Sequence, residues 1–157
     1  MKRYLLILFS FLLIVATSCN EKVDIEKEKE AIKTVIFNES QAYMQQDTAG
    51  LFSYYIKDDN QMRLATSCDT VQIYKGWEAI STLLKNADFT GYSNINNSKD
   101  FIHIKVMGNV AWAMYKDIWT SNYNETPITS TLYCTMILEK VADEWKISGF
   151  TINNRSN

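Results

Sequence analysis

The chain has 157 residues, of which 46% are hydrophobic and 22% are charged, and its formal net charge is −2. This composition is typical of a globular protein, and the lack of a basic excess argues against a nucleic-acid partner. The chain has one histidine and three cysteines, and no pair of them has the spacing of zinc ligands. The sequence therefore predicts neither a metal site nor a cofactor.

The first 18 residues have the order of a bacterial export signal. Lys2 and Arg3 precede an apolar stretch, residues 4–15, that is too short to span a bilayer comfortably. Small residues then lead to Cys19, and this ending resembles the lipobox of bacterial lipoproteins. The resemblance implies cleavage before Cys19 and acylation of that cysteine. The alternative is an ordinary secretory signal followed by an incidental cysteine.

The lipobox resemblance predicts where the mature protein resides. Acyl chains on Cys19 would hold it on a bacterial membrane, most simply the outer membrane, at the periplasmic or the surface face. Residues 19–23 then form the lipidated cysteine and a charged tether, residues 24–152 form one domain, and residues 153–157 form a tail. Contact with the membrane is expected through the anchor alone.

Apolar residues recur at helical spacing from Asp24 onward, which predicts a first helix ending near Gln46. Asp47 and Thr48 then suit the start of a second, short helix. Gly76 begins a third helix, whose apolar face includes Trp77.

The remaining segments predict strands joined by turns and loops. Two short strands cover residues 61–66 and 71–74, and a polar loop covers residues 90–100. Residues 101–119 form a hairpin around Gly108-Asn109, a dipeptide suited to a primed turn. After a loop at residues 121–127, two further long strands cover residues 128–140 and 145–152.

Pairing outward from Gly108-Asn109 sets Lys105 opposite Trp112 and Ile102 opposite Tyr115. The hairpin then has an apolar face that should be covered and a more polar outer face. The covered face comprises Ile102, Ile104, Val106, Ala111, Ala113, Tyr115, Asp117 and Trp119. The outer face comprises His103, Lys105, Trp112, Met114 and Lys116.

Three helices interleaved with a largely antiparallel sheet make an α+β fold. In this order the chain resembles the nuclear-transport-factor-2-like (NTF2-like) superfamily, which includes SnoaL-like polyketide cyclases and ketosteroid isomerases. Four stretches carry the resemblance: EKEAIKTVIFNESQAYMQQDTAGLFSYY, GWEAISTLL, IKVMGNVAWAMY and LEKVADEWKISGF. It implies a cone-shaped half-barrel, with about three helices on the concave face of a strongly curved sheet and a pocket between them. Many members dimerise through the outer sheet face.

The resemblance also directs attention to particular side chains. Many SnoaL-like chains carry an acid or a histidine near the end of the last strand, where this chain has Thr151. Asp117 is the one acid on the inferred pocket face, so it is the candidate general base, with Tyr115 as a proton donor. Asp117 could instead be solvated at the rim, and a bulge would turn it outward. The candidate ligand-binding residues are Tyr43, Tyr55, Trp77, Tyr115, Asp117, Trp119 and Thr151.

Three functions remain open from the sequence. The leading hypothesis is an exported domain that binds a small apolar ligand or a protein partner without chemistry. The rival is a SnoaL-like isomerase, cyclase or hydrolase that uses Asp117 as general base. The third is a module that forms a homodimer through Lys105, Trp112 and Met114 on the outer face. Cys68 and Cys134 could form a disulfide, or Cys134 could be a buried, inert thiol.

Overall fold

A computed structural model describes residues 23–67 and 70–154 of the chain. Cys19 and Cys68 lie outside the described residues. The described part contains three helices and six strands. The helices are α1 (Ile25–Met44), α2 (Thr48–Ser53) and α3 (Gly76–Lys85), and the strands are β1 (Met62–Thr66), β2 (Val71–Lys75), β3 (Tyr92–Met107), β4 (Val110–Tyr123), β5 (Thr126–Val141) and β6 (Glu144–Asn154). None of the described helices is long and apolar enough to cross a membrane.

The first two helices begin at aspartate caps. The Asp24 carboxylate accepts a hydrogen bond from the Lys27 backbone N–H at 3.1 Å, and Asp47 accepts one from the Gly50 N–H at 3.0 Å. Such caps satisfy backbone donors that a helix cannot pair internally. The short second helix predicted from Asp47 is therefore confirmed.

The six strands form one curved sheet in the order β2-β1-β6-β5-β4-β3. The β1–β6 pair is parallel and the other pairs are antiparallel. Helix α1 packs across β3 and β6, and α3 packs on β1 and β2. The predicted α+β architecture is confirmed, and the helices and the concave face of the sheet enclose the hydrophobic core.

The predicted hairpin register is correct near the turn and wrong beyond it. Gly108 has a φ of +64°, as a primed turn requires, and pairing follows the prediction as far as His103 opposite Met114. Ile102 is then the extra residue of a β-bulge, so Phe101 pairs with Tyr115 in its place. A bulge leaves one residue unpaired and shifts every later residue by one position. Ile102 is consequently 49% exposed instead of facing the core.

Two predicted loops are strands. Residues 92–100 extend β3, because they pair with the far half of β4 from Tyr123 down to Lys116. Residues 121–127 contain a tight turn at Asn124 and Glu125, whose φ values are +46° and +68°. At the other end of the sheet, Asn153 and Asn154 continue β6 instead of forming a tail.

A second register shift lies in β6 and changes which side chains face inward. Ile147 pairs with Leu138, whereas Gly149 pairs with Ile137, so Ser148 is the extra residue. The prediction that Thr151 faces the pocket is therefore wrong. Thr151 pairs with Thr135 on the outer face, while Phe150 and Ile152 point inward.

Glu28 ties α1 to the last hairpin. Its carboxylate accepts hydrogen bonds from Lys140 Nζ at 2.7 Å and from Trp145 Nε1 at 2.6 Å. These two donors, Lys140 first, lower the pKa of Glu28 below 4.5. A carboxyl whose pKa is lower in the folded state stabilises the fold above its unfolded pKa, and this contribution is lost as the pH falls through the folded pKa.

Glu28→Gln is therefore expected to lower the free energy of unfolding by about 1 kcal/mol at pH 7 and by less at pH 3. Urea unfolding at the two pH values measures the difference. Glu26→Gln is the matched control, since Glu26 lies in the same helical turn, is largely exposed and pairs only with Lys29. A constant difference between wild type and Glu28→Gln at both pH values would contradict this account.

Candidate functional site

A cavity of about 260 Å³ opens between α1, α3 and the concave face of the sheet. Its volume lies just below the usual range for small-molecule sites, which begins at about 300 Å³. Apolar side chains form one part of the wall, and polar side chains form the other. The apolar set is Leu84, Phe89, Leu132, Phe150 and Ile152, and the polar set is Glu39, Ser40, Tyr43, Arg63, Asp117, Trp119 and Ser130.

A larger cleft of about 710 Å³ lies elsewhere, around Glu28, Lys140 and Trp145. Its central charges already pair with one another, and it contains none of the residues predicted to form the site. We place the candidate site in the smaller cavity because a few polar groups converge there within an apolar wall.

Asp117 lies in the cavity wall and is only 4% exposed. Its Oδ1 accepts hydrogen bonds from Lys99 Nζ at 2.6 Å and from Asn97 Nδ2 at 2.7 Å. Its Oδ2 accepts one from Trp119 Nε1 at 2.8 Å. The Lys99 side chain is fully buried, so the ion pair is removed from solvent. Three donors, one of them cationic, therefore surround this carboxylate.

The bulge at Ile102 places the partners of Asp117. Beyond it Lys99 pairs with Asp117 across the two strands, and Asn97 pairs with Trp119. Paired residues share a face of the sheet, so all four side chains point inward. Without the bulge, Asp100 would lie opposite Asp117, and two carboxylates would meet on the concave face.

A second buried carboxylate, Glu39 of α1, also lines the cavity. It accepts hydrogen bonds from the Tyr55 hydroxyl at 2.6 Å and from the Ser40 hydroxyl at 3.2 Å. Burial, and then the negative charge of Glu39, raise the pKa of Tyr55 well above its usual value. Tyr55 therefore stays protonated and serves as a hydrogen-bond donor behind the cavity wall.

Arg63 brings a positive charge to the same wall from β1. Its guanidinium lies over the Phe150 ring, 4.6 Å from the ring centroid. Its Nη1 is buried and has no hydrogen-bond partner among residues 23–67 and 70–154. A buried donor without an acceptor costs free energy, so an added acceptor at this atom would be stabilising.

Three aromatic rings gather at one side of the cavity. Tyr43 packs edge-on against Phe89, with centroids 5.3 Å apart, and against Trp119 at 6.3 Å. Burial raises the pKa of Tyr43, so its hydroxyl remains protonated at neutral pH. These rings offer faces and edges to an apolar ligand body.

The Tyr115 side chain is fully buried, and its hydroxyl does not donate a hydrogen bond to Asp117. Its hydroxyl has no partner in the described part of the chain, and burial raises its pKa well above the usual value. Cys134 pairs with Tyr115 on the neighbouring strand, and burial raises the pKa of that thiol to about 12. Both groups are therefore protonated core residues at neutral pH.

The other predicted site residues lie away from the cavity. Trp77 packs against Phe52 and Tyr55, with ring centroids 4.9 and 5.9 Å apart. On the outer face, Lys105 pairs with Trp112 across the hairpin, as predicted. The His103 ring also packs against Trp112, with ring centroids 5.0 Å apart. Met114 is 37% exposed on this face.

Of the seven predicted ligand-binding residues, the structure brings Tyr43, Asp117 and Trp119 together in the cavity wall. Sequence reasoning missed Glu39, Arg63, Lys99 and Asn97. Glu39 had a readable signal, because it lies three residues after Ile36 on the apolar stripe of α1. Lys99 and Asn97 had no such signal in the sequence, because the bulge at Ile102 determines that their side chains point inward.

The described part of the cavity wall thus contains one neutralised ion pair, one carboxylate that accepts hydrogen bonds from two hydroxyl groups, and one guanidinium whose Nη1 has no partner. Within residues 23–67 and 70–154, no three histidine, cysteine, aspartate or glutamate side chains cluster as metal ligands would. The arrangement can bind a small molecule that has an apolar body and at least one hydrogen-bond acceptor.

Solved structures of low sequence identity share this fold. An NTF2-like protein with a cystatin-like fold from Novosphingobium aromaticivorans superposes with a TM-score of 0.69 at 12% identity, covering 85% of each chain. A ketosteroid isomerase-like protein from Erwinia carotovora atroseptica gives 0.63 at 12% identity, covering 88% of this chain and 99% of that one. An NTF-2 like protein of unknown function from Shewanella oneidensis gives 0.63 at 16% identity, covering 81% and 99%.

No curated protein matches the chain in sequence. The family model described as a SnoaL-like domain matches residues 32–149, which extend from the first helix to the last strand. The chain therefore belongs to the SnoaL-like domain family, within the NTF2-like superfamily.

Proposed function

We propose that this protein is an exported, lipid-anchored SnoaL-like domain that binds a small, largely apolar molecule in its cavity without altering it. One observation carries the proposal: the cavity is open, but its central acid is already engaged. Two donors occupy Asp117 Oδ1 and one occupies Oδ2, and one of the three is the cation Lys99. A general base must direct a free lone pair at its substrate, and three of the roughly four acceptor positions of the Asp117 carboxylate are already occupied, so Asp117 is better suited to structure than to proton transfer.

The walls of the cavity favour a ligand with an apolar body. Phe89, Leu132 and Phe150 line one side, and the Tyr43 and Trp119 rings lie nearby. Burial of apolar ligand surface against such a wall contributes roughly 25 cal/mol per Å². The few polar groups would then set the orientation of the ligand and exclude unsuitable molecules.

The N-terminal sequence supports the proposed location. A charged start, an apolar stretch and Cys19 occur in the order that a lipoprotein signal requires. A domain held on an envelope membrane by acyl chains would meet its ligand outside the cytoplasm. This supports a role in binding or carrying a small molecule in the cell envelope.

Cys19→Ser is expected to abolish lipid attachment, because the thiol that would be acylated is lost. The protein should then leave the membrane pellet for the soluble fraction, or accumulate with its signal uncleaved. Incorporation of radiolabelled palmitate, followed by fractionation, measures both effects. Ser18→Ala, next to it in the signal, is the control and should retain labelling. Undiminished labelling of Cys19→Ser would rule out this anchor.

Proton-transfer chemistry is the second candidate function, and Glu39 favours it over Asp117. The Glu39 carboxylate lines the cavity and has only two neutral hydroxyl donors, Tyr55 and Ser40. A carboxylate beside a protonated phenol can remove a proton and stabilise the resulting anion. Turnover of a bound molecule that is lost in Glu39→Gln but kept in Asp117→Asn would favour this function.

The outer face supports contact with a second copy of the chain. Trp112 and Met114 lie on it, and Val110 and Ile137 beside them are also exposed. An exposed apolar patch of this kind suits association between subunits.

Native mass spectrometry of the full chain, purified in detergent from its host envelope, tests the binding proposal. We expect a monomer or dimer that carries a small adduct of constant mass, released by unfolding. A protein that is consistently free of any adduct, and that binds none from a host extract, would contradict it. The same spectrum reports whether the protein is dimeric.

A further inference from the structure

The cavity wall contains a guanidinium, that of Arg63, whose Nη1 has no hydrogen-bond partner among the described residues. We infer that the ligand is a small organic carboxylate whose anionic group is bound by Arg63. This inference rests on the proposed ligand-binding function and names the chemical class of the ligand.

The geometry of Arg63 is that of a prepared anion site. Arg63 lies on β1 next to Phe150 of β6, and both side chains point into the cavity. The Phe150 ring supports the face of the guanidinium at 4.6 Å, which leaves its N–H edge for a ligand. Nη1 is shielded from solvent and has no acceptor among the described residues. A planar carboxylate matches the fork of N–H groups on a guanidinium and can accept two parallel hydrogen bonds from it.

Among the described residues, Arg63 is the cation of the cavity wall that forms no ion pair. Lys99 and Asp117 neutralise each other at 2.6 Å. Glu39 is the other carboxylate in the wall, but its oxygens accept the Tyr55 and Ser40 hydroxyl groups, and it forms no ion pair with Arg63. A bound carboxylate would give Arg63 the direct ion-pair partner that the described residues do not supply.

Other ligand classes fit less well. A cationic ligand would be repelled by Arg63, and a neutral carbonyl would satisfy Nη1 without balancing its charge. The apolar wall formed by Phe89, Leu132 and Ile152 requires a hydrocarbon body behind the charged group. An aromatic or short aliphatic monocarboxylate meets both requirements.

Calorimetric titration of the full chain in detergent tests the inference with acids and their neutral amides of the same shape. The probes are benzoate against benzamide, and phenylacetate against phenylacetamide. Wild type is expected to bind at least one acid about tenfold or more tighter than its amide. Arg63→Met should remove this preference, and Arg63→Lys, which keeps the charge but not the fork, should retain part of it. Lys146→Met, in the other cleft, is the control and should behave as wild type.

The possible results separate this inference from the function on which it rests. Equal binding of acids and amides by wild type, or a preference that survives in Arg63→Met, would overturn the carboxylate inference while leaving ligand binding intact. If none of the four probes binds, the carboxylate inference fails. The native mass spectrum then decides separately whether the cavity binds any ligand.

Discussion

Lys99→Met is expected to lower the free energy of unfolding by about 3 kcal/mol or more, because it leaves Asp117 buried without its cation. Asn97 and Trp119 would still donate to the carboxylate, but neither carries a compensating charge. Urea unfolding at pH 7, followed by tryptophan fluorescence, measures the loss. Lys99→Met combined with Asp117→Leu should recover much of it, since the uncompensated charge is then removed.

The chain supplies a matched control one position along the same two strands. Lys116 pairs with Asp100 at 3.5 Å on the outer face, where both side chains are substantially exposed. Lys116→Met is therefore expected to cost no more than about 1 kcal/mol. Equal losses in Lys99→Met and Lys116→Met would show that the inner ion pair is not buried as described.

Ile104→Ala is expected to cost about 2–5 kcal/mol, whereas Ile102→Ala should cost about 0.5 kcal/mol or less. The two isoleucines are separated by one residue, and simple alternation would place both on the covered face. The bulge instead leaves Ile102 half exposed and keeps Ile104 buried. Similar losses in the two variants by urea unfolding would contradict the bulge, and with it the inward direction of Lys99.

The sequence predicted most of the elements because their signals are local. The aspartate caps, the stripe of α1 and the Gly108-Asn109 turn each depend on residues a few positions apart. The family resemblance followed from the order of these elements along the chain. The loop predicted at residues 90–100 was wrong because its asparagines and serines resemble a loop in composition, whereas pairing with β4 makes it a strand.

The candidate site was less predictable because it depends on two bulges. The bulge at Ile102 brings Lys99 and Asn97 to Asp117, and the bulge at Ser148 exchanges Thr151 for Phe150. An extra residue in one strand depends on the fit between strands and leaves no fixed local signal. The alternation of residues in β4 placed Asp117 on the correct face. It could not show that Lys99 and Asn97 lie on that face too. These partners make Asp117 an ion-paired residue instead of a free base.

The central claim is that the inner cavity binds a small molecule, and a pair of adjacent residues on β5 tests it directly. Ser130 lines the cavity, whereas Thr131 points to the outer face. Native mass spectra of Ser130→Trp and Thr131→Trp, purified in the same way from the host envelope, provide the measurement. We predict that the adduct disappears in Ser130→Trp, because the indole fills the cavity, and persists in Thr131→Trp. An adduct retained equally by both variants would place the ligand elsewhere and contradict the claim.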